Sequence, residues 1–223
     1  MGKGVAPLLL RSVPVFAGLR EQRLAALAAE ASLRNVVRNE VVLRIGDPTD
    51  NVYFVLSGRL RVLVSDIEGR EVILSMLGAG DLFGEIGVID DNPRSATVVA
   101  VDSSDLVVFD KNDFRRCLAD NFDITLAIMR SLAGRLRVAD QRIESLALLD
   151  VYGRVARLLL ELAETRDGLK IVPSRLTKQD IAKMVGASRE MVSRVMKGLT
   201  QQGLIEERDG EVVLRTEPVD PVK

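Results

Sequence analysis

The sequence predicts an α+β chain in three parts: a small antiparallel β-barrel or jelly roll, one long helix, and a winged helix-turn-helix. Three observations predict it. Between Val36 and Phe109 the short runs VVLRI, VYFVLSG, LRVLVSD, VILSML, ATVVAV and DLVVFD are punctuated by Gly46-Asp47-Pro48, Ser57-Gly58, Glu68-Gly69 and Gly78-Ala79-Gly80. After Asp110 the apolar spacing lengthens to that of a helix and holds for several turns. From Thr177 to Leu204 two capped helices are joined at a glycine, and Leu204 to Arg208 then alternates with Glu211 to Leu214 around Asp209-Gly210, a strong hairpin turn.

In chain order, Leu24, Ala25, Leu27 and Ala28 make an amphipathic helix of Leu19 to Ala31. The evenly spaced strands with glycine at the corners read as a closed or two-sheet antiparallel domain. Met129, Leu132, Leu136, Ala139, Ile143 and Leu146 then fall at alternating steps of three and four, a heptad seam. Part of this helix packs on its own barrel, through Ile128 and Val138. A helix apolar on two stripes needs two partners, and a parallel coiled coil across a two-fold axis supplies the second, giving a homodimer. Asp150 is placed to cap a helix over Val151 to Glu164, so the hinge falls at Leu148 to Asp150. The expected domains are 1–120, 121–149 and 150–223. Thr177-Lys-Gln-Asp180 reads as a capping box before Ile181, Met184 and Val185. Gly186 turns the chain, Ser188 caps the next helix, and Val192, Val195, Met196 and Leu199 form its buried stripe. Its other face carries Arg189, Glu190, Ser193, Arg194 and Lys197. The tail from Pro218 to Lys223 reads as disordered.

Composition narrows the chemistry. With 47% apolar and 28% charged residues in 223, the chain has enough material for two cores. The net charge of −1 is unevenly shared: Val151 to Arg215 holds 12 Lys/Arg against 9 Asp/Glu, while Met1 to Asp150 holds 18 against 21. That leans toward a nucleic-acid-facing C-terminal half. Cys117 is the only cysteine, so there is no intramolecular disulfide, and its place among Phe114, Leu118 and Phe122 fits a buried small hydrophobe. The absence of histidine removes Ser-His-Asp catalysis, His-bound zinc and His-bound haem together. An enzyme on a barrel of this kind would need metal ligands, and carboxylates alone serve poorly. No catalytic residue, metal site or cofactor is expected. The Leu8, Leu9, Leu10 run is too short for a signal peptide core or a membrane span, so a soluble cytoplasmic protein without a membrane partner is expected.

The stretch Gly80 to Ala100 carries the chemistry of the first part. Gly84 and Glu85 open a single turn of helix, and Arg94 and Ser95 lead into a strand from Ala96 to Val101. Leu82, Phe83, Ile86, Val88 and Ile89 can fold the turn onto a core, leaving Glu85, Arg94 and Ser95 to converge. Backbone N–H groups around Gly84, Glu85 and Ile86, the Arg94 fork and the Ser95 hydroxyl suit a phosphate. The Glu85 carboxylate suits a ribose hydroxyl instead. A bare surface ion pair of Glu85 with Arg94 is the plainer reading, and such pairs are worth little.

The whole arrangement of strand, Gly80-Asp81 turn, Gly84-Glu85 helical turn, Pro93 loop and Arg94-Ser95-Ala-Thr strand resembles the phosphate-binding cassette of the cyclic-AMP receptor protein (CRP/FNR) family of bacterial regulators. The resemblance runs from about residue 15 to residue 215. It implies a double-stranded β-helix (jelly-roll) cyclic nucleotide-binding domain, a dimerisation helix and a DNA-binding winged helix-turn-helix, with contact to RNA polymerase. It also implies that Ala139 and Asp140 meet the base of the nucleotide, where the family's cyclic-AMP receptor has a threonine and a serine. A carboxylate at Asp140 suits the donors of a guanine edge, which keeps cyclic GMP and cyclic di-GMP open, while Glu85, Arg94 and Ser95 are the set of cyclic-AMP binders; cyclic AMP is favoured. A regulator that needs no effector is the remaining alternative. The iron–sulfur and His-haem sensors of the family are disfavoured by one cysteine and no histidine.

For double-stranded DNA, side-chain geometry lets Arg189 and Arg194 fork onto guanine and lets Glu190 accept from a cytosine amino group. The run Ser188-Arg189-Glu190-x-Val192-x-Arg194 matches the family's, which implies a TGTGA-like half-site. Ser193 lies on the same face. Lys178, Gln179 and Ser188 are assigned to phosphates. Met191 stands where the best-known member has a phosphate-contacting threonine.

Overall fold

Strand-period sequence between residues 32 and 110 folds into two four-stranded antiparallel sheets, as seen in a computed structural model that describes residues 4–172, 176–208 and 210–215. The chain divides into two compact units, Met1–Arg135 and Leu136–Lys223.

The first unit opens with α1 (Pro7–Arg11), a 3₁₀ turn at Pro14–Phe16 and α2 (Glu21–Glu30). Then come β1 (Ser32–Val36), β2 (Val41–Leu43), β3 (Asn51–Ser57), β4 (Leu60–Ser65), β5 (Glu71–Leu77), β6 (Leu82–Phe83), α3 (Ile86–Ile89), β7 (Thr97–Ala100) and β8 (Ser104–Asp110). One sheet has the order β1-β8-β3-β6 and the other β2-β7-β4-β5. Consecutive strands largely switch sheets, which makes this a jelly roll and resolves the choice left open by periodicity. Both sheets feed one core, in which Tyr53, Val55 and Leu106 meet Leu60, Leu77 and Val98.

The sheet containing β3 is buried on its other face as well. There Val52, Phe54, Val107 and Phe109 pack with Phe16, Leu24, Phe114 and Ile124. Burial on both faces explains why Val52 to Val55 is a continuous apolar run instead of an alternation. The rings of Phe16 and Phe54 lie 4.9 Å apart and those of Phe54 and Phe109 5.9 Å apart, the second pair edge-on, a favourable aromatic geometry. Helices α4 (Lys111–Asp120) and α5 (Phe122–Leu148) follow, with Asp110 capping α4 by accepting from the Asn112 N–H.

The second unit contains α6 (Val151–Leu162), β9 (Glu164–Arg166), β10 (Leu169–Val172), α7 (Lys178–Val185), α8 (Arg189–Gln201), β11 (Ile205–Arg208) and β12 (Glu211–Leu214). Its core joins Val155, Leu158 and Leu159 of α6 to Ile181 and Val185 of α7 and to Val192, Met196 and Leu199 of α8. Asp150 caps α6 by accepting from the Gly153 N–H at 2.8 Å, as expected. β11 pairs with β12 from Ile205↔Leu214 to Arg208↔Glu211, forming the wing. Of its Asp209-Gly210 turn, Asp209 lies outside the described residues, as does the tail from Pro218.

Several expectations need correction. β1 and β6 were not expected; β1 is a half-exposed edge strand and β6 has two residues, too few to show a period. The hairpin β9–β10 was also missed, and it ends the sixth helix at Leu162 instead of Glu164. β7 runs from Thr97 to Ala100, not from Ala96 to Val101. Leu82, Phe83 and Val88 are buried, but Ile86 and Ile89 are exposed because a single helical turn has only one inner side. Cys117 is buried with Phe114, while Phe122 starts α5 in the open. Burial pushes the Cys117 thiol up to about 11, so it is held as an inert thiol. Ile128 packs in the core, but Val138 is 42% exposed. Among the described residues, no helix is long and apolar enough to cross a membrane.

Candidate ligand cassette and nucleic-acid interface

The cassette is built between β6 and β7. Gly84 follows β6 with φ +77°, a left-handed backbone that side chains disfavour. A methyl group there would stand 2.7 Å from Arg94 Nη1 and 3.3 Å from Leu43 Cδ1. Glycine therefore lets the guanidinium lie flat against the turn. Arg94 is buried and donates from Nη1 to the Gly84 carbonyl at 2.7 Å and from Nη2 to the Asn51 carbonyl at 2.8 Å. Its carbon Cζ lies 5.9 Å from the Tyr53 ring centroid. Its backbone is held too, by the Arg94 N–H on the Asp47 carbonyl and the Gly46 N–H on the Arg94 carbonyl, both 2.9 Å. Two of the five guanidinium donors thus set its orientation. Gly84→Ala is expected to displace Arg94 and to lower stability by about 1 to 2 kcal/mol, from a left-handed alanine, readable by urea denaturation.

Glu85 caps the single turn α3 with its backbone and is 1% exposed. The sequence reading left its carboxylate free; the structure pairs it. Arg135 of α5 donates from Nη1 to Glu85 Oε1 at 2.8 Å and from Nη2 to the Leu82 carbonyl. Burial pushes the Glu85 carboxyl above the usual range, and it outweighs the opposing pull of Arg135 and Arg94. Arg135 was missed because a lone arginine on a long charged helix has the local signature of a solvated residue. Its place 50 positions from its partner is a product of the fold. Ser95 and Ile86 are exposed beside the cassette, and Ala139 and Asp140 lie exposed on α5.

The second site is a helix pair. Thr177 Oγ1 accepts from the Asp180 N–H while the Asp180 carboxylate accepts from the Thr177 N–H, the full capping box expected. Gly186 ends α7 at φ +64° and bonds back to the Ala182 carbonyl. Ser188 caps α8 by accepting from the Met191 N–H at 3.1 Å. A shallow depression of about 680 Å³ runs along α8 and is lined by Ser188, Arg189, Glu190, Ser193, Arg194 and Lys197. Five of the seven residues expected to meet DNA are brought together there. Lys178 and Gln179 sit apart on the first turn of α7, and Lys178 pairs with Glu207 of the wing at 3.3 Å. Lys197, read from the sequence as a polar-face charge, completes the lining.

A jelly roll carrying such a cassette, followed by a winged helix-turn-helix, defines the class of two-part DNA-binding regulators. Residues 33–121 match the cyclic nucleotide-binding domain family and residues 153–218 the Crp-like helix-turn-helix domain family. The chain is 32% identical over 201 residues to a CRP-like cAMP-activated global transcriptional regulator of Mycobacterium tuberculosis, covering 88% of this chain and 90% of that one. It is 36% identical over 176 residues to the cAMP-activated global transcriptional regulator CRP of Salmonella typhimurium, covering 76% and 82% respectively. It also resembles the solved c-di-GMP-responsive global regulator CLP of Xanthomonas campestris, with TM-score 0.72, 29% identity, and coverage of 85% of this chain and 96% of that one. The chain belongs to the cyclic-AMP receptor protein (CRP/FNR) family: it is a DNA-binding transcription regulator with a cyclic nucleotide-binding domain, not an enzyme.

Proposed function

We propose that the protein is a cytoplasmic homodimer whose affinity for a two-fold symmetric operator is set by cyclic AMP. The observation that carries this reading is Arg94, held by two backbone carbonyls beside a left-handed glycine. A buried guanidinium fixed in place is a ready anion partner, because little orientation remains to be lost on binding. In this reading Arg94, Ser95 and the backbone of Gly84 and Ile86 take the phosphate, and Glu85 takes the ribose. Ala139 and Asp140 meet the base. Support for the dimer comes from the seam: Met129, Leu136, Ile143 and Leu146 are each at least 56% exposed in the single chain. Titration calorimetry with cyclic AMP, cyclic GMP and cyclic di-GMP tests the effector. Heat from none of the three would remove it.

Two features favour a second reading, in which the effector is cyclic di-GMP. Asp140 offers an acceptor to a guanine edge, and the similar regulator CLP of Xanthomonas campestris is c-di-GMP-responsive. The same titration separates the readings.

On DNA, Arg189 and Arg194 fork onto guanines, Glu190 accepts from cytosine, and the half-sites are TGTGA-like. Ser193 joins them on α8, while Lys178, Gln179 and Ser188 hold phosphates. The half-sites are expected one helical turn, roughly 34 Å, apart. Arg189→Ala should cost about 1 to 3 kcal/mol on the operator and little on random DNA. Gel shifts on both sequences check this, and equal losses would refute the base-reading role. Control by an effector predicts a higher operator affinity with nucleotide than without it. Family membership supports RNA polymerase as a further partner in this reading.

A further inference from the structure

The cassette helix is gripped from outside by α4, and neither the ligand nor the DNA contacts call for that grip. Arg115 donates from both Nε and Nη2 to the Val88 carbonyl, at 3.0 and 2.6 Å. Val88 is fully buried and belongs to the last turn of α3, whose carbonyls have no helical partner. The same guanidinium pairs with Asp91 at 2.7 Å, and Lys111, one turn earlier on α4, pairs with Asp91 at 2.6 Å. Asp91 sits at φ +59°, a left-handed conformation that aspartate tolerates better than most residues. Two cations hold its carboxyl down at about 2, so the grip keeps its charge throughout the neutral range.

From α4 the connection runs on. The Asn121 side chain donates to the Cys117 carbonyl at 2.8 Å, and Thr125 of α5 donates to the Leu118 carbonyl at 2.7 Å. Helix α4 is thus tied to the cassette at one end and to the first turn of α5 at the other. An exposed ion pair alone would contribute little. This one is joined to a two-donor clamp on a buried helix end, which only arginine can make.

We propose that Arg115, with Asp91 as its counter-charge, is the positioning residue that makes α4 and the start of α5 follow the cassette. The inference deepens the effector reading and rests on it for its biological use. Its physical content is a coupling between Arg94 and the α4–α5 junction that disappears when Arg115 is removed.

Hydrogen exchange on the full-length chain tests this without any nucleotide. Wild type, Arg94→Ala, Arg115→Ala and the double variant form a cycle, read at the amides of residues 111–128. Arg94→Ala should speed exchange there by about tenfold in the wild-type background and hardly at all when Arg115 is absent. Equal acceleration in both backgrounds, or none in either, overturns the clasp. Should Arg115→Ala fold poorly, Asp91→Asn keeps the left-handed backbone and removes the charge, and it should diminish the same coupling. A second arm adds cyclic AMP. Arg115→Ala should then keep the wild-type heat of binding while losing the rise in operator affinity, and, by reciprocity, operator DNA should cease to tighten cyclic AMP binding. Wild type giving no heat would sink the effector reading, and the exchange cycle would still decide the clasp.

Discussion

Arg94→Ala is expected to abolish the effector response while leaving non-specific DNA binding unchanged. Two charge-assisted hydrogen bonds to a phosphate are worth about 3 kcal/mol or more together, so nucleotide affinity should fall roughly a hundredfold or further. The variant also strips the Gly84 and Asn51 carbonyls of their donor, which loosens the turn itself. Arg94→Lys should fail nearly as badly, since an ammonium cannot bridge two carbonyls and still present a planar fork. The measurement is calorimetry for the nucleotide, paired with gel shifts on operator and random DNA. A variant that responds fully would contradict the assignment of the phosphate to Arg94. Loss of binding to random DNA as well would point to a folding defect.

Arg135→Met is expected to be the most destabilising single change at the cassette. It leaves the Glu85 carboxylate 1% exposed and without its ion-pair partner. Deleting one member of a buried pair costs about 3 to 5 kcal/mol; with the Arg135 side chain 38% exposed, the lower end or below is expected. The pH dependence follows from the direction of the Glu85 shift. Its folded value lies above its unfolded value because of burial, so between the two the folded state holds a proton that the unfolded chain has lost. Stability therefore decreases as pH rises through that window. Without Arg135 the opposing pull is gone and the window widens upward. The deficit of Arg135→Met against wild type should be larger at about pH 7 than at about pH 5, as urea unfolding at both would show. A deficit independent of pH would mean that Glu85 is not the group left stranded.

Much of the second unit was legible because its signals are local. A capping box, a glycine at a helix end and a serine cap each act within four residues, and each appears where its sequence places it. The polar face of α8 was legible for the same reason: the helix and its Ser188 cap carry all six residues that line the depression, and helical periodicity puts them together. The cassette was legible only in part. Gly84 and Arg94 were identified, but the partners of Arg94 are main-chain carbonyls of Gly84 and Asn51, which no side-chain pattern announces. The edge strand β1 and the two-residue β6 escaped because short or half-exposed strands leave too few alternations to count.

Periodicity and capping chemistry were sufficient to establish a β-rich domain, a long helix and a winged helix-turn-helix, together with the residues that share the polar face of α8, since those properties depend on neighbours a few positions away. The jelly-roll strand order, the burial of Glu85 against Arg135 and the clasp of Arg115 on the cassette came from the folded chain. The two arginine contacts join residues 27 and 50 positions apart and the strand order pairs residues as distant as Ser32 and Val108, and an apolar or charged pattern encodes which face turns inward without encoding which distant group it meets there.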